Sequence, residues 1–506
     1  MTAILNVLED LKPNTKELHV IIAATIISLI ARWAAFFPLS YALDDYSNAL
    51  SLSCVDLAST QISQGRWGAY FLNRALELVG FYVYHYSITG FAISSICLIL
   101  SGILICRIWN IKDAVPMFLT VIFIVIHPYQ VEYFTFKIAS LFGLPIFLSL
   151  LAFYLCAKNR IWYVASAFLI AFALSIYQLA LNYMTMVLLL SVIGDLVMQY
   201  KRNSVIEWNI LNNNNYVPVR FSIIPLSVLL YVGLSGIVIM AYGATLVERA
   251  DLLPFESIGM RLSQLALLGK EMFFTREPLM PLPYKTLFSF IFVSFFVLAF
   301  RNWLSLKDNR KFLSLCLVVF LSALSLLNIV GMNLAIKDWW PVPRILSTVS
   351  VFWAGFIAFA YVQTRNSAQR ALILVPAIVL LLGAIAINNT VLAEQLRVNM
   401  RDAHKANRII ERLERHPEFG KVNRVAIVGG TWRLPSGIRT VTGDLNVSAF
   451  GAPWSRLAIL NEISGYNFFP ATNEEDKYAE EHCSSSHKWP HEDALTVRGN
   501  LAVLCF

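Results

Sequence analysis

Blocks of roughly twenty consecutive apolar residues recur along the chain as far as residue 391, and no water-soluble core absorbs so many of them. Inside a hydrocarbon layer every backbone N–H and C=O needs an internal partner, so such blocks are expected as helices. They fall at 18–38, 88–106, 114–127, 139–157, 161–177, 180–198, 222–244, 285–300, 312–333, 345–363 and 371–391, about eleven crossings. The stretch 161–198 is too long for one crossing and divides at Tyr177-Gln178, its most polar midpoint. Composition agrees: 57% of the 506 residues are hydrophobic and 14% charged, where soluble domains carry about a quarter.

The net charge of +8 invites a nucleic-acid partner, but its distribution argues against one. The basic residues sit in short loops between apolar blocks, among them Lys12, Lys16, Arg107, Lys112, Lys158, Lys201, Arg202, Arg301, Lys311, Arg365 and Arg370. That pattern orients a membrane chain with its N-terminus in the cytoplasm. An odd number of crossings then exports the tail, 392–506. The first block follows a polar segment and lacks a small-x-small exit, with bulky Phe36 in that place, so it reads as a retained anchor. The expected architecture is an all-α polytopic domain over 1–391 with a small C-terminal α/β domain over 392–506.

Within the tail, 393–415 reads as a charged helical stalk, Val422–Val428 as a strand ending at Gly429-Gly430, and Asn500–Phe506 as a second strand. There is no GxGxxG and no P-loop lysine, which argues against nucleotide binding. Cys483 and Cys505 share the exported tail, where a disulfide is permitted. No CxxC or Cys/His spacing occurs, which argues against a zinc site.

Chemistry is expected in the outward loops. Asp44 and Asp45 follow the first block. One of them can cap a helix beginning near Tyr46, yet adjacent carboxylates at a bilayer edge also suit a general base. Gly65-Arg66-Trp67 lies further along the same loop. The turn from His127 to Lys137 follows a block of about thirteen residues, which spans only about 20 Å, so it should dip into the membrane or line a cavity. Glu132 and Lys137 would then lie at depth, as an ion pair or as ligand contacts, and His127 reads as a cap. Tyr177 and Gln178 offer hydrogen bonds at the hairpin. Arg344, after Pro343, can clamp a lipid phosphate or snorkel to headgroups. The loop 245–284 reads as amphipathic scaffold.

An acidic pair in the first exported loop of a many-span protein with a soluble exported tail resembles the layout of GT-C glycosyltransferases. Within that class the chain is similar to the GtrII-type glucosyltransferases that modify bacterial O-antigen. The resemblance rests on Asp44-Asp45-Tyr46, Gly65-Arg66-Trp67, the Pro128–Lys137 turn with Glu132, Ser175-Ile176-Tyr177-Gln178 and Pro343-Arg344. It extends to Val425–Gly429, Ser448–Trp454 and Trp489-Pro490 in the tail. It implies a multi-pass protein of the bacterial inner membrane and a serotype-converting reaction at its periplasmic face. Glucose would pass from undecaprenyl phosphate-glucose to a sugar of the lipid-linked O-antigen repeat, with inversion. Asp44 or Asp45 would be the base, Arg344 or Lys137 would steady the leaving phosphate, and Arg66, Trp67, Glu132, Tyr177 and Gln178 would contact donor or acceptor. The resemblance also implies a donor flippase and a donor-synthesising glucosyltransferase as partners, with no metal and no cofactor beyond the lipid-linked donor. An O-antigen polymerase or ligase would favour outward loops rich in arginine and histidine. A lipid-linked oligosaccharide transporter would place charges within several spans.

Overall fold

The computed structural model describes residues 9–36, 40–49, 58–81, 87–137, 141–158, 160–202, 216–247, 251–306, 311–430 and 437–506. Among these, the first part of the chain runs α1 (Thr15–Phe36), α2 (Leu43–Ala49), α3 (Ala58–Ser63), α4 (Trp67–Leu78), α5 (Ser87–Ile108) and α6 (Ala114–Ile126). A 3-10 turn, Pro128–Phe134, precedes α7 (Gly143–Leu155), α8 (Arg160–Ile176), α9 (Ala180–Arg202) and α10 (Tyr216–Tyr242). Then come α11 (Ile258–Phe274), α12 (Leu282–Leu304), α13 (Lys311–Val330), α14 (Pro343–Leu346), α15 (Val349–Gln363) and α16 (Ser367–Glu414).

Each apolar block coincides with a helix, and this is a membrane protein. Among the described residues, 8 helices are long and apolar enough to cross a membrane, or 9 if α6 and the bent turn after it make one span. The remaining two blocks form the shorter apolar helices α7 and α8. At 1.5 Å per residue α7 reaches only about 20 Å. The breaks between helices have local causes. Pro128 cannot continue α6, and the chain turns there by 51°. Tyr177 to Leu179 separate α8 from α9, where the hairpin is expected.

The helix Leu346–Gln363 forms the centre of the bundle, with 89% of its apolar window buried, whereas Val217–Tyr242 lies at the edge with 17% buried. Around α15 pack α6, α9 and α12, while α7 joins α5 to α8. Arg32 is wholly buried in α1, where the helix kinks, and its guanidinium lies 3.7 Å from the centroid of the Phe134 ring.

The last apolar helix does not end with its apolar block. α16 is one helix of 48 residues that crosses the expected division at 391/392 and becomes the stalk. Beyond it the tail forms β1 (Arg424–Val428), α17 (Pro453–Ser464), β2 (Phe469–Pro470), α18 (Asn473–Ser485), β3 (Leu495–Arg498) and β4 (Leu501–Cys505). The sheet order is β2-β1-β4-β3, with β1 parallel to β2 and β4, and β3 antiparallel to β4. The two expected strands are β1 and β4. β2, at 2 residues, is too short to show alternation, and β3 pairs with β4 through a hairpin at Gly499, whose φ of +62° suits glycine. A disulfide joins Cys483 on α18 to Cys505 on β4. Tyr46 of α2 packs with Ala406 and Ile409 of the stalk and Ile459 of α17, so α2 is clasped between stalk and tail.

Candidate active site

The two adjacent acids sit in different surroundings. α2 begins at Leu43, three residues before the expected start near Tyr46. That places Asp45 in the first turn, reaching back to the residue before the helix as the acid of a capping box does. Its Oδ2 accepts the N–H of Ala42 at 2.9 Å, and Oδ1 and Oδ2 accept the N–H of Lys137 at 3.0 and 3.1 Å. Asp45 is wholly buried. Asp44 is half-buried and points towards the tail, where its Oδ1 accepts the indole N–H of Trp454 at 2.8 Å.

The turn before α2 is fixed by the stalk. Asn399 bonds both the N–H and the C=O of Tyr41, each at 2.8 Å, and Gln395 donates to the same C=O at 2.7 Å. Lys137 lies 3.4 Å from the centroid of the Tyr41 ring, and the Tyr41 hydroxyl donates to Glu462 at 3.3 Å. Burial pushes the Lys137 ammonium below its ordinary pKa, while the nearby carboxylates of Asp45 and Glu462 oppose that. Burial likewise pushes the Tyr41 phenol up to about 12.

The second part of the site centres on Arg344. Glu132, wholly buried in the 3-10 turn, accepts the Arg344 N–H at 2.6 Å and also pairs with its guanidinium through Nη1. Nη2 of Arg344 donates to Asp444 of the tail at 3.0 Å. Burial would lower the Arg344 pKa, but Glu132 and Asp444 around it hold the guanidinium above its ordinary value. An ion pair between Glu132 and Lys137 is therefore not what forms: Glu132 takes Arg344, the Lys137 backbone N–H goes to Asp45, and the Lys137 ammonium lies over the Tyr41 ring. Helix geometry explains the choice. Pro343 opens α14, which presents the Arg344 N–H to a carboxylate as an unsatisfied helix-end donor.

Asp444 reaches Arg344 because the stalk shapes the loop 437–452. Glu394 accepts the N–H groups of Arg439 and Thr440 at 2.9 and 2.8 Å, and Asp402 accepts the Ser448 hydroxyl and the Ala449 N–H, both at 2.7 Å. Between them Gly443 adopts a φ of +55°, and a Cβ there would meet Val342 Cγ1 at 2.6 Å.

The remaining expected residues form the wall beside this centre. Tyr177 stacks on Phe142 with centroids 4.1 Å apart and meets Tyr133 edge-on, while Arg66 lies 5.4 Å from the Tyr177 ring centroid. Gln178 donates to the Gln64 C=O and to the Tyr231 hydroxyl, both at 3.0 Å. Tyr231 in turn donates to the Gly65 C=O, and the Trp67 indole donates to Ser235 at 2.9 Å. Gln178 and Trp67 thus hold the Gly65-Arg66-Trp67 turn against α10. His127 caps the 3-10 turn by accepting the Tyr129 N–H at 3.2 Å. From the scaffold loop, Glu277 accepts the Tyr129 hydroxyl at 2.6 Å.

Asp444, Glu462, Gln395 and Asn399 are not singled out in the sequence, and Trp454 enters there only as the end of the Ser448–Trp454 segment. Their only local signal is a polar stripe on the stalk at Glu394, Gln395, Asn399 and Asp402, spaced as one face of a helix.

A family model described as "Glucosyl transferase GtrII" matches residues 33–359, well over half of the chain. It takes in both acids, the 3-10 turn and Arg344, and stops before the stalk. No curated protein and no solved structure matches the chain.

Proposed function

Since the chain belongs to the GtrII glucosyl transferase family, we propose that it transfers glucose from undecaprenyl phosphate-glucose to a sugar hydroxyl of the lipid-linked O-antigen repeat. The reaction would take place at the periplasmic face of a bacterial inner membrane, where the tail and the first loop meet. We assign the base to Asp44. Asp45 is wholly buried and spends its oxygens on backbone N–H groups, whereas Asp44 is half-buried beside the tail. That contrast between two adjacent acids is the observation that carries the assignment.

In the proposed step the Asp44 carboxylate takes the proton of the acceptor hydroxyl. The hydroxyl oxygen forms the new bond to the anomeric carbon as the carbon–oxygen bond to phosphate breaks. The lipid phosphate leaves with the bonding electron pair, and one displacement inverts the centre. Arg344 is the cation we assign to that phosphate, since its side chain is 20% exposed while Lys137 is 2% exposed. Asp444 holds Arg344 in the free protein, so the arriving phosphate takes the place of Asp444.

The experiment supplies radiolabelled undecaprenyl phosphate-glucose and lipid-linked O-antigen to membranes lacking any host activity. Wild-type protein is compared with Asp44→Asn and Asp45→Asn. Label reaching the glycan with wild type, and not with a normally folded Asp44→Asn, supports both substrate and base. No transfer by folded wild type across several O-antigens sinks the glucosyl assignment.

A further inference from the structure

In the tail, on residues other than the acids and Arg344, three metal-ligating side chains converge. His487, His491 and Asp493 each offer a ligand atom, and these atoms all lie within 4.8 Å of one another. Asp493 Oδ2 is 3.8 Å from His487 Nδ1 and 3.4 Å from His491 Nδ1. The two imidazoles lie parallel with centroids 4.0 Å apart. Around a tetrahedral ion with bonds of about 2.0–2.1 Å, neighbouring ligand atoms sit about 3.4 Å apart. Of the three separations the His491–Asp493 one already matches; the other two close when the exposed, stacked imidazoles rotate out of parallel so that both lone pairs face the ion.

We infer that His487, His491 and Asp493 bind a transition-metal ion of the Zn2+ class. Two imidazoles and one carboxylate suit Zn2+, Ni2+ or Cu2+, whereas Mg2+ and Ca2+ favour all-oxygen shells. Three protein ligands leave a fourth position for water or for a group from another molecule.

The backbone between the ligands is held before any ion arrives. Arg412 of the stalk donates to the C=O of Pro490 at 3.2 Å and of His491 at 2.8 Å. The Trp489 N–H donates to the C=O of Cys505 at 2.8 Å, and Cys505 is itself fixed to Cys483. His491 Nδ1 accepts the Asp493 N–H across 3.3 Å, a long bond that an ion at that nitrogen replaces. The ligand side chains are exposed by 67%, 49% and 71%, so an ion reaches them directly from solvent. The sequence hides this site because His487 and His491 lie on an irregular segment and Asp493 in the short 3-10 turn Glu492–Ala494, with no helix face to align them.

The test uses the full chain in detergent, purified without a histidine tag. Zn2+ is titrated by calorimetry, and Co2+ binding is followed by its visible absorption. One equivalent of specific binding is expected. His487→Ala and Asp493→Asn should each weaken it by at least about tenfold, and His404→Ala, elsewhere on the stalk, should leave it unchanged. Because the three side chains are exposed, thermal unfolding without metal should match wild type, which separates lost ligation from misfolding. Absence of a specific equivalent in wild type, or its survival in the double variant His487→Ala/His491→Ala, overturns the site.

Discussion

Both carboxylate oxygens of Asp45 accept the backbone N–H of Lys137, at 3.0 and 3.1 Å, and so tie the first loop to the end of the 3-10 turn. The bond makes Asp45 a structural acid beside Asp44, which is half-buried and bonded to Trp454 of the tail. Asp45→Ala strands buried N–H groups, and a charge-assisted bond of this kind contributes about 1.5–3 kcal/mol. A marked fall in melting temperature in detergent is the expected result. Asp44→Asn should leave melting almost unchanged and lower the transfer rate by about 100-fold or more. The reverse pattern would move the base to Asp45.

Glu132, itself wholly buried, neutralises a partly exposed Arg344. Glu132→Gln removes that charge while Arg344 keeps Asp444. The loss should be about 2–3 kcal/mol, below that of a fully buried pair because Arg344 is partly exposed. Thermal unfolding of the single variants and of Glu132→Gln/Arg344→Gln measures it. Non-additive losses in that cycle are expected for residues in contact.

Asp444 competes for the cation assigned to the donor phosphate. Asp444→Asn should lower KM for the lipid donor by about fivefold, the equivalent of about 1 kcal/mol for a partly exposed pair. Initial rates at varied donor concentration decide the point. A raised KM would mean that Asp444 contacts substrate instead of yielding to it.

Gly443 sets the turn that delivers Asp444. Gly443→Ala forces a Cβ into a left-handed conformation and against Val342. A destabilisation of at least about 1 kcal/mol is expected, with the donor KM shifting in the same direction as in Asp444→Asn.

The disulfide closes a separation of 22 residues across α18, β3 and the loop between them. Reduction, or Cys483→Ser, should destabilise the tail by about 3 kcal/mol. Limited proteolysis with and without reductant reports it as faster cleavage within the tail.

The sequence made the bundle legible because a membrane-length apolar block has few alternatives to a helix, and all the blocks are helices here. Asp44, Asp45, Glu132 and Arg344 were conspicuous as charges where charge is costly. Their pairing was not. Glu132 has Lys137 nearby in sequence, yet it pairs with Arg344 at a separation of 212 residues, because Arg344 brings a helix-end N–H as well as a charge. The tail's contribution was equally hidden: Trp454 meets Asp44 across 410 residues, a contact that no local periodicity encodes. Gln178 and Trp67, read as ligand contacts, bond protein groups around a glycine turn, a use that only the packing of α10 makes visible.

Because α16 carries the last apolar block and the stalk as one continuous helix, any tilt of it is multiplied along its length. At 1.5 Å per residue its 48 residues measure about 70 Å. A tilt of about 10° about one end swings the other by about 12 Å, several times the length of the Asp444–Arg344 contact. Bilayer thickness, which bears on helix tilt, would through such a tilt change how closely the tail approaches Arg344.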